Sequence, residues 1–160
     1  MKQLWAPWRM TYIEEPEADE CIFCVKEIEG EDHQRLILKR GTESFIMMNK
    51  FPYSNGHLLI APYRHTADMN DLSDSERLEI FQQLVLCQYV LKNVFHPEGF
   101  NIGMNLGKVA GAGVAEHLHF HVVPRWNGDT NFMPVFSDVR VIPQHLETTF
   151  QKLADGFSAV

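Results

Sequence analysis

Three cysteines in 160 residues are too few for a disulfide framework. Two of them fall in one short stretch, Cys21-Ile22-Phe23-Cys24, which reads as metal or redox chemistry in a reducing compartment. No apolar run approaches the roughly 18–20 residues that span a bilayer, and no basic segment followed by an apolar signal core opens the chain. The expectation is a cytoplasmic protein with no membrane partner. Positive charge is scarce: Lys plus Arg number 14 against 21 Asp plus Glu, and the net charge of -7 argues against general nucleic-acid binding, which needs a basic footprint. A small anionic ligand stays open, because backbone N–H groups, imidazoles or a metal can hold one locally. Internal repeats and low-complexity segments are absent, as is any carboxylate cluster marking a dedicated magnesium site.

What remains is a chain 45% hydrophobic and 22% charged, suited to one domain with a real core. Its most unusual stretch is His117-Leu118-His119-Phe120-His121-Val122-Val123. In a strand alternate side chains share a face, so His117, His119 and His121 line one side while Leu118, Phe120 and Val122 enter the core. A neutral imidazole can be nucleophile, proton carrier or metal ligand near neutral pH, and three on one face can divide those roles.

Upstream, Leu4 to Ile13 reads as an aromatic-rich arm, and Glu14 to Glu20 as a solvated acidic loop. Lys26 to Glu31 reads as a short helical turn, and Arg35 to Lys39 as a strand. Phe45 to Asn49 and His57 to Pro62 form an antiparallel pair around the turn signal Asn55-Gly56. Ser73 and Glu76 make a capping-box signature for a helix from about Asp74 to Phe95, with Leu78, Phe81, Leu84, Val85, Leu91, Val94 and Phe95 as its inward stripe and Cys87 as a buried thiol. Gly99 to Asn105 reads as a strand leading into the glycine-rich loop 106–113, whose small residues let backbone N–H groups approach an anion. Pro124 to Pro134 is loop, Val139 to Ile142 a short strand, and Pro143 opens a C-terminal helix to about Ala154.

A Cys-x-x-Cys pair supplies two thiolates, and zinc needs two further ligands, usually histidines. His33, His57, His65, His96, His117, His119, His121 and His145 are all candidates. A redox dithiol belongs near a helix N-terminus in a βαβ setting, whereas the elements here read as antiparallel, so zinc is the favoured reading.

The His117 to Val123 stretch matches the signature of the histidine triad (HIT) family at every position. The resemblance extends through Cys21-Ile22-Phe23-Cys24, Asn49, Gly56 to Pro62, His65 and Asn105-Leu106-Gly107. The opening arm and Pro124 to Phe132 look like the diadenosine polyphosphate phosphorylase and adenylyltransferase-like branch. The resemblance implies an α+β fold: a HIT-like antiparallel sheet with a packed long helix and a C-terminal helix. It further implies a homodimer, and one HIT domain over residues 1–160 with an N-terminal arm (about 1–20) and a C-terminal extension (about 126–160).

The activity implied is cleavage at the α-phosphate of a dinucleoside polyphosphate such as diadenosine tetraphosphate, with His119 as the nucleophile that forms a nucleotidyl-histidine. His121 and His57 take supporting catalytic positions, and Asn105 a place near the bridging phosphate. Asn49 matches a ribose contact, and Ala112, Gly113, Val114 and Ala115 the phosphate loop, with His121 also on the phosphate. In zinc-bearing relatives the metal ligands fall on Cys21, Cys24, His65 and His117, a structural site, and magnesium is expected only as a companion of the polyphosphate. Fragile-histidine-triad hydrolases carry Gln at the Asn105 and Gly113 positions, so phosphate and water both stand as acceptors. Two rival readings are a nucleoside phosphoramidase or general nucleotide hydrolase on the same residues, and a non-catalytic zinc-stapled nucleotide-binding module.

Overall fold

The computed structural model describes residues 21–129 and 142–160. The aromatic arm, the acidic loop, residues 130–134 of the expected loop and residues 139–141 of the expected strand lie outside the described residues, and Pro124 and Arg125, expected in that loop, close a strand instead. Five strands form one antiparallel sheet: β1 (Ile37–Arg40), β2 (Ser44–Met48), β3 (Leu58–Pro62), β4 (Gly99–Gly103) and β5 (Phe120–Arg125). Their spatial order is β1-β2-β3-β5-β4, so the strand carrying His121 sits between two neighbours and β4 is an edge among the described residues. Two helices, α1 (Asp74–Phe95) and α2 (Leu146–Ser158), pack on one face, and the chain from Cys21 to Val25 covers part of the other.

Strand alternation builds this two-sided sheet. Ile46, Met48, Leu58, Ile60 and Val122 face the helices, where they meet Ile80, Leu84, Cys87 and Leu91 of α1 and Phe150, Leu153 and Phe157 of α2. Phe45, Met47, Leu59 and Ala61 face the other way, onto Phe23 and Val25. The β2–β3 pairing runs from Ser44 opposite Pro62 to Met48 opposite Leu58, as the apolar runs around Asn55-Gly56 predict. Gly56 closes that connection at φ +74°, a conformation that L side chains rarely adopt. At the β1–β2 turn the Glu79 carboxylate of α1 accepts from the N–H groups of Thr42, Glu43 and Ser44 and from Ser44 Oγ. A Cβ on Gly41 would lie 2.2 Å from that carboxylate, so the turn admits only glycine there without moving Glu79.

Helix α1 has the predicted bounds. Both halves of its capping box form: Ser73 Oγ accepts from the Glu76 N–H, and the Glu76 carboxylate from the Ser73 N–H. Its inward stripe differs from the expected one. Leu84 and Leu91 are buried and Val94 and Phe95 partly so, but Leu78, Phe81 and Val85 are exposed, and the core is filled instead by Ile80, Cys87 and Val90. Two apolar stripes share the 3.6-residue period, and the sheet takes the one that meets β2 and β3. Burial pushes the Cys87 thiol up, consistent with a packed, inert group.

Three further expectations shift. Lys26 to Glu31 forms isolated turns rather than a helix. The C-terminal helix begins at Leu146, not Pro143, because His145 is still extended (ψ 143°) and its carbonyl accepts the first helical bond from the Thr149 N–H. Strand β5 begins at Phe120, so His117 and His119 occupy an extended lead-in whose Leu118 N–H bonds to Thr66 O at 2.7 Å rather than to a neighbouring strand.

Candidate active site

The end of β3 organises the site. His117, fully buried, places Nε2 2.9 Å from the Pro62 carbonyl, which can only accept, so Nε2 carries the proton and Nδ1 offers a lone pair. Two residues on, His119 places Nδ1 2.9 Å from the His117 carbonyl; by the same logic its Nε2 is the unprotonated nitrogen. Burial holds the His119 imidazolium down against that hydrogen bond, so the ring is a neutral base with a free lone pair near neutral pH.

His121 lies on β5 opposite Leu59, with its ring edge-on to His119 at 4.9 Å between centroids. His57 Nδ1 accepts from the Tyr53 N–H at 3.1 Å and lies 3.3 Å from Asn49 Nδ2. The proton of His57 therefore sits on Nε2, which donates to His121 Nδ1 at 3.0 Å. His121 in turn keeps its proton on Nε2. The relay gives neighbouring imidazoles opposite characters: His119 presents a lone pair, His121 an N–H donor. The Tyr53 ring lies over both His57 (4.8 Å) and His121 (5.8 Å).

Asn49 is thus part of the His57 loop, with its Oδ1 accepting from the Phe51 N–H. Asn105 turns to the glycine-rich loop, where its Nδ2 donates to Gly111 O at 3.3 Å. Ala112 to Ala115 lead directly into the triad, and Val114 packs on the same apolar cluster as Phe23.

The second cluster has a donor set that could hold a metal ion. Ligand atoms of Cys21, Cys24, His65 and His117 lie within 4.8 Å of one another, the one such group among the described residues. His117 Nδ1 is 3.4 Å from Cys21 Sγ and 4.0 Å from Cys24 Sγ, and His65 Nδ1 is 3.3 Å from Cys24 Sγ. Tetrahedral zinc with ordinary Zn–S and Zn–N bonds requires N···S edges of about 3.6 Å, so the spacing fits. The protonation fits as well: the Nε2–H···O bond to Pro62 leaves His117 Nδ1 free to ligate. Burial and then the neighbouring Cys21 push the Cys24 thiol up.

A HIT domain model matches residues 29–128. The chain belongs to the HIT domain family. The HIT match takes in all five strands and α1, but Cys21 and Cys24 precede it and α2 follows it. An AP-4-A phosphorylase from Mycobacterium tuberculosis is 39% identical over 162 residues, covering 96% of this chain and 83% of that protein. An asymmetrical bis(5'-nucleosyl)-tetraphosphatase from Schizosaccharomyces pombe is 32% identical over 111 residues, 69% of this chain and 57% of that one. A Zn-bound histidine triad family protein from Mycobacterium smegmatis shares the fold with a TM-score of 0.66 and 22% identity, covering 88% of this chain and 94% of that one.

Reading the sequence missed two residues of this HIT site. Phe23, the third residue of the Cys21–Cys24 stretch, stacks on His119 at 4.6 Å, and Tyr53 lies over the His57–His121 pair. Aromatic character was the only signal either carried.

Burial and the adjacent His119 push His121 down to about 4 from 6.5. In the folded protein His121 is therefore neutral between pH 5 and 6.5, where an unfolded chain would largely protonate it. Its contribution to stability is full above pH 6.5 and falls as the pH drops toward 4. An NMR titration is expected to find the His121 ring unprotonated at pH 6; a midpoint near 6.5 contradicts the relay.

Proposed function

We propose that this HIT protein cleaves the α-phosphate linkage of a dinucleoside polyphosphate such as diadenosine tetraphosphate, through a nucleotidyl intermediate on His119. The observation that carries the reading is the His119 imidazole, tied at Nδ1 to the His117 carbonyl and so left with a lone pair on Nε2. That lone pair attacks the α-phosphorus, an N–P bond forms, and the bond to the bridging oxygen breaks, releasing a nucleoside polyphosphate. The positive charge that develops on the ring is shared with the His117 carbonyl through Nδ1–H. His121, a donor at Nε2, sits edge-on to His119 and supplies a hydrogen bond to phosphate oxygen in flight. An acceptor oxygen then displaces Nε2 from phosphorus and restores the lone pair. Phosphate is the acceptor favoured here, supported by the 39% identity to the mycobacterial AP-4-A phosphorylase over nearly the whole chain. Asn49, Asn105 and the Ala112 to Ala115 loop are the candidate nucleotide contacts.

We further infer that the Cys21, Cys24, His65 and His117 cluster holds zinc, since two thiolates and two imidazoles at tetrahedral spacing suit that ion. With all four positions filled by protein, the ion acts as a cross-link between the N-terminal segment, the chain after β3 and the triad. The homodimer is proposed to use the exposed stripe Leu78, Phe81, Val85 and Tyr89 of α1 together with the open edge of β4.

With diadenosine tetraphosphate, ADP and ATP are expected only when inorganic phosphate is present, and His119→Ala is expected to lose at least about 10³-fold in turnover while keeping its fold. AMP and ATP without phosphate would make water the acceptor, and an active His119→Ala variant would remove His119 from the mechanism. Protein purified without chelator should carry about one zinc per chain, and a chelator should lower its melting temperature before it changes the products. Metal-free protein of unchanged stability would contradict the cross-link. Sedimentation should find a dimer that Phe81→Glu converts to monomer; a wild-type monomer would sink that assignment.

A further inference from the structure

Phe23 lies between two of the metal-binding candidates, yet its side chain belongs to the catalytic strand. Cys21 and Cys24 direct their sulfurs at His117 and His65, whereas the Phe23 ring lies flat on His119, with 4.6 Å between centroids and 29° between planes. The same ring is tilted against His117 at 5.3 Å. It is 1% exposed and sits at the head of the apolar cluster formed by Val25, Phe45, Met47, Leu59 and Ala61. Its backbone is fixed on both sides: the Cys24 N–H bonds to Cys21 O, and the Val25 N–H to Phe23 O, each at 3.0 Å.

A single hydrogen bond at Nδ1 fixes one atom of the His119 ring and leaves its plane free to tilt. The Nε2 lone pair lies in that plane, and displacement at phosphorus requires it to point in line with the leaving oxygen. His119 is 5% exposed, and of the two rings packed against it His121 meets it edge-on while Phe23 meets it face to face. A face-to-face neighbour opposes rotation of the ring out of its plane. A ring 1% exposed does not meet a nucleotide, so its effect must pass through His119.

We propose that Phe23 is a positioning residue for His119: the loop that carries Cys21 and Cys24 sets the plane of the attacking imidazole through the stacked Phe23 ring. The proposal rests on the reading of His119 as the nucleophile. It gives the N-terminal segment a part in the chemistry that a cross-link alone would not have. The order of the Cys21–Cys24 loop then determines how often Nε2 is aimed at phosphorus.

The test is Phe23→Leu, which keeps an apolar side chain in the cluster and removes the flat ring. Three quantities are measured: kcat and KM for diadenosine tetraphosphate with phosphate, metal content, and the His119 ring signals by NMR. The expected result is a kcat lowered about tenfold with KM within about twofold, the signature of an interaction lost in the transition state. Metal content should stay at the wild-type value, and the His119 ring protons should lose the upfield shift that the Phe23 face imposes. A folded Phe23→Leu variant with wild-type kcat overturns the proposal, as does one in which KM rises and kcat is spared. Should the variant fail to fold, the wild-type spectrum decides: upfield His119 ring protons with cross-peaks to the Phe23 ring support the proposal, and their absence overturns it. A wild-type protein that never forms a nucleotidyl-histidine overturns the nucleophile reading, and the proposal with it. A wild type that forms it alongside an unimpaired Phe23→Leu overturns the proposal alone.

Discussion

The imidazole of His117 donates from Nε2 to the Pro62 carbonyl at the end of β3, and its own backbone carbonyl accepts from Nδ1 of His119. These two bonds, each 2.9 Å, lie where the chain leading into β5 crosses the end of β3, in the interior of the strand order. The first fixes a tautomer and so frees His117 Nδ1 for the cluster with Cys21, Cys24 and His65. The second fixes another and so leaves the lone pair on His119 Nε2, the atom proposed to attack phosphorus. The lead-in to β5 runs outside the strand pairing from His117 to His119, and the Leu118 N–H between them bonds to Thr66 O. Hydrogen-bond direction, rather than net charge, sets the chemistry of this site.

Around that pair the fold divides its work by face. The side toward α1 and α2 carries the larger apolar cluster and supplies rigidity. The opposite side carries the imidazoles, with Phe23 and its cluster at their back. Because β5 lies between β3 and β4, His121 is paired with Leu59 on one side and Gly103 on the other, and its ring reaches His57, the residue before β3. The His57 relay then gives His121 a donor nitrogen next to the lone pair of His119. One residue type thereby presents both a lone pair and a hydrogen-bond donor, distinguished only by what each ring's other nitrogen touches.

Much of this was legible in the sequence, for identifiable reasons. Three histidines at a spacing of two have few structural explanations, a Ser73–Glu76 capping box states where α1 begins, and Asn55-Gly56 between apolar runs announces the β2–β3 pair. These are local signals with local causes. The stripe of α1 was misread because Leu78, Phe81 and Val85 have the same helical spacing as Ile80, Cys87 and Leu91; only the partner surface decides which set is buried. Phe23 went unseen because nothing in a Cys-x-x-Cys pair says where the ring between its sulfurs will turn. Tyr53 acts on His57 through a backbone N–H, which no side-chain pattern records.

The proposed chemistry depends on the lone pair of His119 Nε2. The direct measurement is the intact mass of the protein quenched within a turnover of diadenosine tetraphosphate, followed by peptide mapping. The account predicts one added adenylyl group, acid-labile and on His119, that disappears when phosphate is supplied. Product formation with no adduct, or an adduct on His57 or His121 instead, would contradict it.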